Sequence, residues 1–338
     1  MKPEFFSLIR SPWFWLAVAF VATVPTWLPP YYLGIGVLTL IYIALALAWH
    51  IVGGLGGQIS LAHSLFLGIG ALLSSALFLK LGVNMWVGAA LAAAFAAVMG
   101  AAIAWVDFRF KLGHLSFALI TLAFAEIGEL VALGWEFLGG ASGLYLPADK
   151  GVLSAFQFGG AKGYFWLMLV LAVVCFLANV AILNSPLGYY LRAIRDNENA
   201  AQAVGIDMLR NKALAMAISA ALTALIGTAY ARYSSFVDPY LFASPAVVID
   251  VVLIATIGGL GTPYGPLAAA TLLVPFGEII RGKLGGVAPG LHYFIYGALI
   301  ILVIRTMPRG VVPTLQSLLT RRRAKRRAAA PAAPRVTA

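Results

Sequence analysis

Ten apolar stretches nearly empty of charge punctuate this chain, near 12–28, 33–52, 60–79, 84–106, 114–134, 163–183, 213–233, 247–264, 266–281 and 289–306. A helix crosses the hydrocarbon core of a bilayer in about 20 residues. Lipid offers no partners to backbone N–H and C=O groups, so spanning segments are helices or closed barrels. These runs predict an all-α, polytopic transmembrane bundle of about ten spans, with about eight to eleven as bounds. Composition closes the alternative, because 62% hydrophobic against 10% charged residues leaves a chain of 338 residues too little polar surface for a water-soluble fold. The membrane domain is expected over 1–310, with a basic, disordered cytoplasmic tail over 311–338.

The net charge of +11 does not point to nucleic acid, since Arg321, Arg322, Arg323, Lys325, Arg326, Arg327 and Arg335 concentrate it in that tail. Elsewhere the cations mark topology. Lys2 and Arg10, Arg109 and Lys111, the group Arg192, Arg195, Arg210 and Lys212, and the tail all fall on one side of a ten-span chain. Cytoplasmic loops carry such an excess, so both termini are expected in the cytoplasm. Arg281 and Lys283 fall on the other side and break the pattern. The first segment continues into Pro25, Trp27, Pro29 and Pro30 without a small-residue cleavage site, so it reads as an uncleaved span. Cys175 is the single cysteine, which excludes a disulfide or a multi-cysteine metal site within one chain.

Small residues crowd Gly68–Ala71 and the run from Gly88 to Ala97, faces that let helix backbones approach closely. Two glycine clusters share Gly-Gly-Leu-Gly, at Gly53–Gly56 and Gly258–Gly261, one in each half of the chain. They fit an internal pseudo-repeat with interrupted helices beside a solute pathway; simple turns explain them equally well. Glu126, Glu129, Asp250 and Glu278 are acids within spans and need partners or water. Glu126 and Glu129 share a helical face, suited either to a polar cavity near a solute ammonium or to hydrogen bonding between helices. His63 and His114 sit near span ends, and neither has a second ligand at metal-site spacing, so no metal and no cofactor is expected. The stretch Gly277–Leu284 spells G-x-x-x-x-G-K, but Leu284 stands where a phosphate-binding loop needs a hydroxyl and no strand precedes it. No catalytic residue is assigned, and any ATP hydrolysis must come from another subunit.

The largest internal polar segment, about 184–212, reads from Pro186 as a short amphipathic helix ending near Gly205. Arg192, Arg195 and Glu198 recur at helical spacing, and Ala200 and Ala201 offer a flat surface, as a helix inserting into a partner's groove would. An interfacial helix held by anionic lipid explains the arginines but not the small-residue surface.

At these residues the chain resembles a known family. Gly188–Asp207 is similar to the ATPase-coupling loop of the branched-chain amino-acid permeases of ABC importers, with the R-A-I-R-x-N-E-x-A-A-x-x-x-G-I run. Gly57–His63 resembles the family's G-Q-x-S-L-x-H segment, and Ile257–Pro266 its I-G-G-x-G-T-x-x-G-P segment. Thr121–Ile127 is similar to the T-L-A-F-A-E-I run of the LivM-like permease type. The resemblance covers about 53–270; it departs at His114-Leu115-Ser116, where an aromatic-rich lead is expected, and in the basic tail.

The resemblance implies a multi-pass permease subunit of a bacterial inner membrane, moving branched-chain or related amino acids. Its partners would be a second homologous permease, two cytosolic ATPases and an extracytoplasmic substrate-binding protein. Arg192, Arg195, Glu198, Ala200, Ala201 and Gly205 would engage the ATPase, while Gln58, Ser60, His63, Thr121, Phe124, Glu126, Gly258 and Gly259 would border the solute pathway. Permeases for urea or short amides look much alike. An ion-coupled carrier using Glu126, Glu129 or Asp250, or a passive channel, would need no docking helix.

Overall fold

The computed structural model describes residues 11–110, 113–284, 291–307 and 310–314. Among the described residues, each predicted apolar stretch is mostly helical. In chain order the main helices are α1 (Pro12–Thr23), α2 (Pro30–His50), α3 (His63–Gly68), α4 (Ser74–Leu81), α5 (Met85–Phe110), α6 (His114–Gly134) and α7 (Ala161–Leu183). They continue as α8 (Pro186–Asp196), α9 (Glu198–Ala203), α10 (Met208–Ser234), α11 (Pro245–Gly258), α12 (Tyr264–Leu284) and α13 (Leu291–Thr306). Among the described residues, seven continuous helical stretches are long and apolar enough to cross a membrane: 30–55, 63–81, 85–110, 115–134, 161–183, 208–234 and 239–258. Counted over the described residues, the stretches at α1, α12 and α13 fall short, α1 and α13 by length.

The core forms around α2, which is buried from Thr39 to His50 except at Tyr42 and packs against α7, α10, α11 and α12. Proline at its first position starts it, where a missing N–H costs nothing. The broadest helix pair is α5 with α10. Small residues permit this contact: a Cβ added at Gly100 would lie 2.9 Å from Met216 O and 3.0 Å from Ala220 Cβ. Gly100→Ala is expected to separate these backbones at a cost of about 1–3 kcal/mol from overpacking, seen as a lower melting midpoint of the detergent-solubilised protein. An unchanged midpoint would show that the pair yields without strain.

Contacts sort the elements to two ends. At one end, the near end, α2 finishes, α5 finishes, α8 and α9 lie, and α10 begins, joined by the hydrogen bond Gln58 Nε2 to Asp107 Oδ2 and by Arg195 Nη1 to Gly54 O. At the far end, a two-stranded antiparallel sheet pairs β1 (Leu144–Tyr145) with β2 (Phe236–Val237) beyond α10. There Arg232 Nη1 donates to Pro147 O at 3.0 Å, and Trp86 Nε1 to Leu153 O at 2.9 Å. This anchors loop 135–160, which Asp149 closes by accepting the N–H groups of Gly151, Phe158, Gly159 and Gly160. Burial works against that carboxylate's charge, yet the Gly151 N–H, the Tyr164 hydroxyl and the N–H groups of Gly160 and Gly159 hold it below the ordinary carboxylate range.

The last helices run end to end as well. α11 finishes at the near end, where the Leu260 carbonyl meets His50. α12 starts there and finishes beside Tyr31, whose hydroxyl donates to Glu278 O. Its 21 residues give about 31 Å of helix. Arg281 and Lys283 therefore lie at the far end, as the sequence implied, and Arg281 pairs with Glu278 at 3.6 Å. After α13 the chain returns to the near end, where Gly310 abuts Gly259. Val311 packs on the core, so helical residues 311–314 still belong to the bundle. The remainder of the predicted tail lies outside the described residues. The G-x-x-x-x-G-K stretch is part of continuous α12, not a phosphate-binding loop.

Candidate functional site

Both glycine clusters interrupt helices. Beyond His50 the α2 helix widens into a π turn, Ile51–Leu55, and the chain then leaves the helix with Gly57 at φ +70°. α11 stops at Gly259, φ +110°, and irregular backbone leads to α12. Left-handed backbone disfavours residues with a Cβ, so glycine at 57 and 259 sets where each helix ends. The two breaks are brought together: the His50 ring lies between Asn179 Oδ1 (2.8 Å) and Leu260 O (3.1 Å).

Side chains satisfy the freed backbone of the first break. Trp49 Nε1 donates to Ser60 O at 2.8 Å, and Thr121 Oγ1 accepts from Leu61 N at 2.9 Å. His63 Nε2 lies 2.7 Å from Ser219 Oγ, which donates its single proton to Ala48 O at 2.6 Å. The imidazole must then donate from Nε2, which leaves Nδ1 as a buried acceptor without a partner among the described residues. Thus the structure gathers Gln58, Ser60, His63 and Thr121 at one break and sets Gly258 and Gly259 at the other. All six are buried in this conformation.

Phe124 and Glu126 lie apart from that cluster. Phe124 helps line an apolar cavity of about 370 Å³ between α3, α5 and α6, with Leu65, Met99, Val131 and Phe242. Glu126 is exposed on the loosely packed α6, with Glu129 partly exposed one turn on. Asp250 is half-buried and hydrogen bonds the Tyr42 hydroxyl.

The polar segment departs from expectation in two respects. One helix was expected; two form, because Asn197 adopts extended backbone (φ −163°, ψ 108°) and its side chain caps α9 by accepting from Ala200 N at 3.0 Å. Ala201 is not on a flat outer surface but buried with Ile194 and Met208. The exposed tip is Asn199, Ala200, Gln202, Ala203, Val204 and Gly205. Arg192 turns back along its helix, its Nε donating to Gly188 O at 3.1 Å, and stacks on Tyr189. Arg195 reaches the first break, with Nη1 2.9 Å from Gly54 O and its stem against Gly57.

Sequence reasoning missed two members of this site. Lys212 Nζ lies 3.0 Å from Asp107 Oδ2 and 2.9 Å from Glu198 Oε1, and Gln58 Nε2 shares that Asp107 oxygen at 2.8 Å. Asp107 falls one residue past a predicted span, and Lys212 reads from the sequence only as a topology marker. Among the described residues, no group of three His, Cys, Asp or Glu side chains is placed to hold a metal ion.

A profile of the family described as branched-chain amino acid transport system, permease component, matches residues 31–304. The chain belongs to this permease family. Its relatives include the high-affinity branched-chain amino acid transport system permease protein LivM of Escherichia coli K12, 30% identical over 82% of this chain and 69% of that protein. The corresponding protein of Salmonella typhimurium LT2 is 28% identical over the same shares. A probable branched-chain amino acid transport permease protein LivM of Methanocaldococcus jannaschii is 27% identical over 66% of each chain. No solved structure matches this permease. The match spans both glycine breaks, the α8–α9 segment and the α5–α10 contact.

Proposed function

We propose that this permease is the membrane subunit of an ATP-driven importer carrying branched-chain or related amino acids across a bacterial cytoplasmic membrane. Ten spans, with the near end and both termini in the cytoplasm, fit the end-to-end course of α12 and the cation distribution. A second homologous permease, two cytosolic ATPases and an extracytoplasmic binding protein complete the assembly. ATP binding would close the ATPase pair and rock the bundle through the tip of α9, releasing solute inward.

One observation carries this reading: an exposed tip, formed by 199, 200 and 202–205, projects at the same end as two juxtaposed helix breaks, and the preceding helix α8 is tied to the first by Arg195. The breaks are the pathway candidates, because irregular backbone at membrane depth must line a cavity or be covered by protein. Here it is covered. With Cys175 replaced, cysteines at 58, 60 and 63 are expected to resist small water-soluble thiol reagents in nucleotide-free complexes and to react during turnover. Equal protection in both conditions would reduce these residues to packing.

A further inference from the structure

Four elements meet through side chains at one buried point near the first break. Gln58 follows α2, Asp107 ends α5, Lys212 opens α10 and Glu198 begins α9. Asp107 is 1% exposed, Lys212 6% and Gln58 7%, whereas the Glu198 side chain is 39% exposed. The chain of contacts therefore leads from the water-facing tip helix into the protein: Glu198 to Lys212 at 2.9 Å, Lys212 to Asp107 at 3.0 Å, Asp107 to Gln58 at 2.8 Å. Arg195 makes a second, parallel connection from α8 to Gly54 O.

The pairing at Asp107 is lopsided. Oδ2 takes both the lysine and the glutamine, while Oδ1 is buried with no partner among the described residues. A buried carboxylate oxygen left bare is costly, and purely structural ion pairs are stable when all lone pairs are satisfied. Oδ1 supplies a second docking position for Lys212 or Gln58. If the tip is displaced and draws Lys212 with Glu198, the ammonium can pass to Oδ1 without losing its carboxylate. Gln58, then released from a crowded oxygen, lets the Gly56–Gly57 backbone turn. Gly57 already holds positive φ, and Gln58 N closes the π turn by bonding Val52 O at 3.3 Å.

We propose that the Asp107–Lys212 pair is the transmission element through which movement of the α9 tip opens or closes the first helix break. It rests on the reading of this tip as the ATPase-docking surface. Asp107, Lys212 and Gln58 are positioning residues; none needs to touch solute or nucleotide.

The test uses the complete complex, reconstituted with its partner permease, ATPases and binding protein. The double substitution Asp107→Asn with Lys212→Gln removes both charges without leaving either one buried alone. Its complexes are expected to assemble and hydrolyse ATP, while solute carried per ATP falls about tenfold, within the range typical of substitutions in coupling networks. Lys212→Arg, which keeps charge and donor, should retain most of that ratio. An unchanged ratio in the double variant overturns the proposal, as does a parallel fall of uptake, hydrolysis and thermal stability, which marks a structural role only. Hydrogen exchange in the unsubstituted complex gives a test that needs no variant: trapping the nucleotide-bound state must alter exchange at 51–60, and unaltered exchange there also overturns it. Failure of the docking reading is separate, because it shows as normal uptake when only the outward-facing tip is changed.

Discussion

Vesicles holding this permease and its partner permease, but no ATPase, are expected to accumulate no solute against its gradient when a proton or sodium gradient is imposed. Adding the ATPases, ATP and the binding protein should start uptake, and that uptake should persist after the ion gradient is collapsed. Ion coupling needs a site whose occupancy differs between the inward and outward conformations. The acids nearest the helix breaks are already engaged, and the pair Glu126 and Glu129 lies on α6, near Asp238. Asp107 is paired with Lys212, Glu278 with Arg281, and Asp250 with the Tyr42 hydroxyl, while Glu126 is exposed on α6 away from the helix breaks. Glu126→Gln and Asp250→Asn are therefore expected to leave ATP-driven uptake within about threefold of the parent, a change of less than about 1 kcal/mol in the limiting step. Concentrative, gradient-dependent accumulation by ATPase-free vesicles would overturn the importer assignment, and its loss in either variant would name the coupling acid.

The bundle itself was legible because its signal is long: an apolar run of some 20 residues has few alternatives to a helix. The helix breaks were legible for a related reason, since glycine clusters are conspicuous inside such runs. What the sequence could not show is which distant parts meet. The two Gly-Gly-Leu-Gly clusters touch through His50 and Leu260, 210 positions apart, and Asp107 pairs with Lys212 across 105. No helical spacing encodes either pairing. In the sequence, an acid one residue beyond a predicted span looks solvated, although the bundle extends past that limit and buries Asp107. Ala201 failed differently. Alanine at helical spacing is equally suited to an inner or an outer face, and the cap at Asn197 that starts a new helix rotates it inward.

Gly205→Arg is expected to leave the permease inserted and folded yet reduce uptake to background. Gly205 is exposed at φ +87°, and a Cβ there would meet nothing within 4 Å. The arginine side chain would thus enter open space, and the fold would bear mainly the backbone penalty of a left-handed L-residue, about 1–2 kcal/mol. On a docking surface the same change places a long cation where a partner groove must close, and desolvating an unpaired charge in an interface is costly enough to prevent docking. Gly205→Asn separates the two effects, because asparagine tolerates left-handed backbone and adds little bulk; it should retain most of the uptake. Ala201→Glu is the less informative change, since it buries a carboxylate among Ile194 and Met208 and would disturb α9 whether or not anything docks. ATPase co-purification should be lost with Gly205→Arg and kept with Gly205→Asn. If Gly205→Arg supports normal uptake and retains the ATPases, the tip of α9 is not the docking surface.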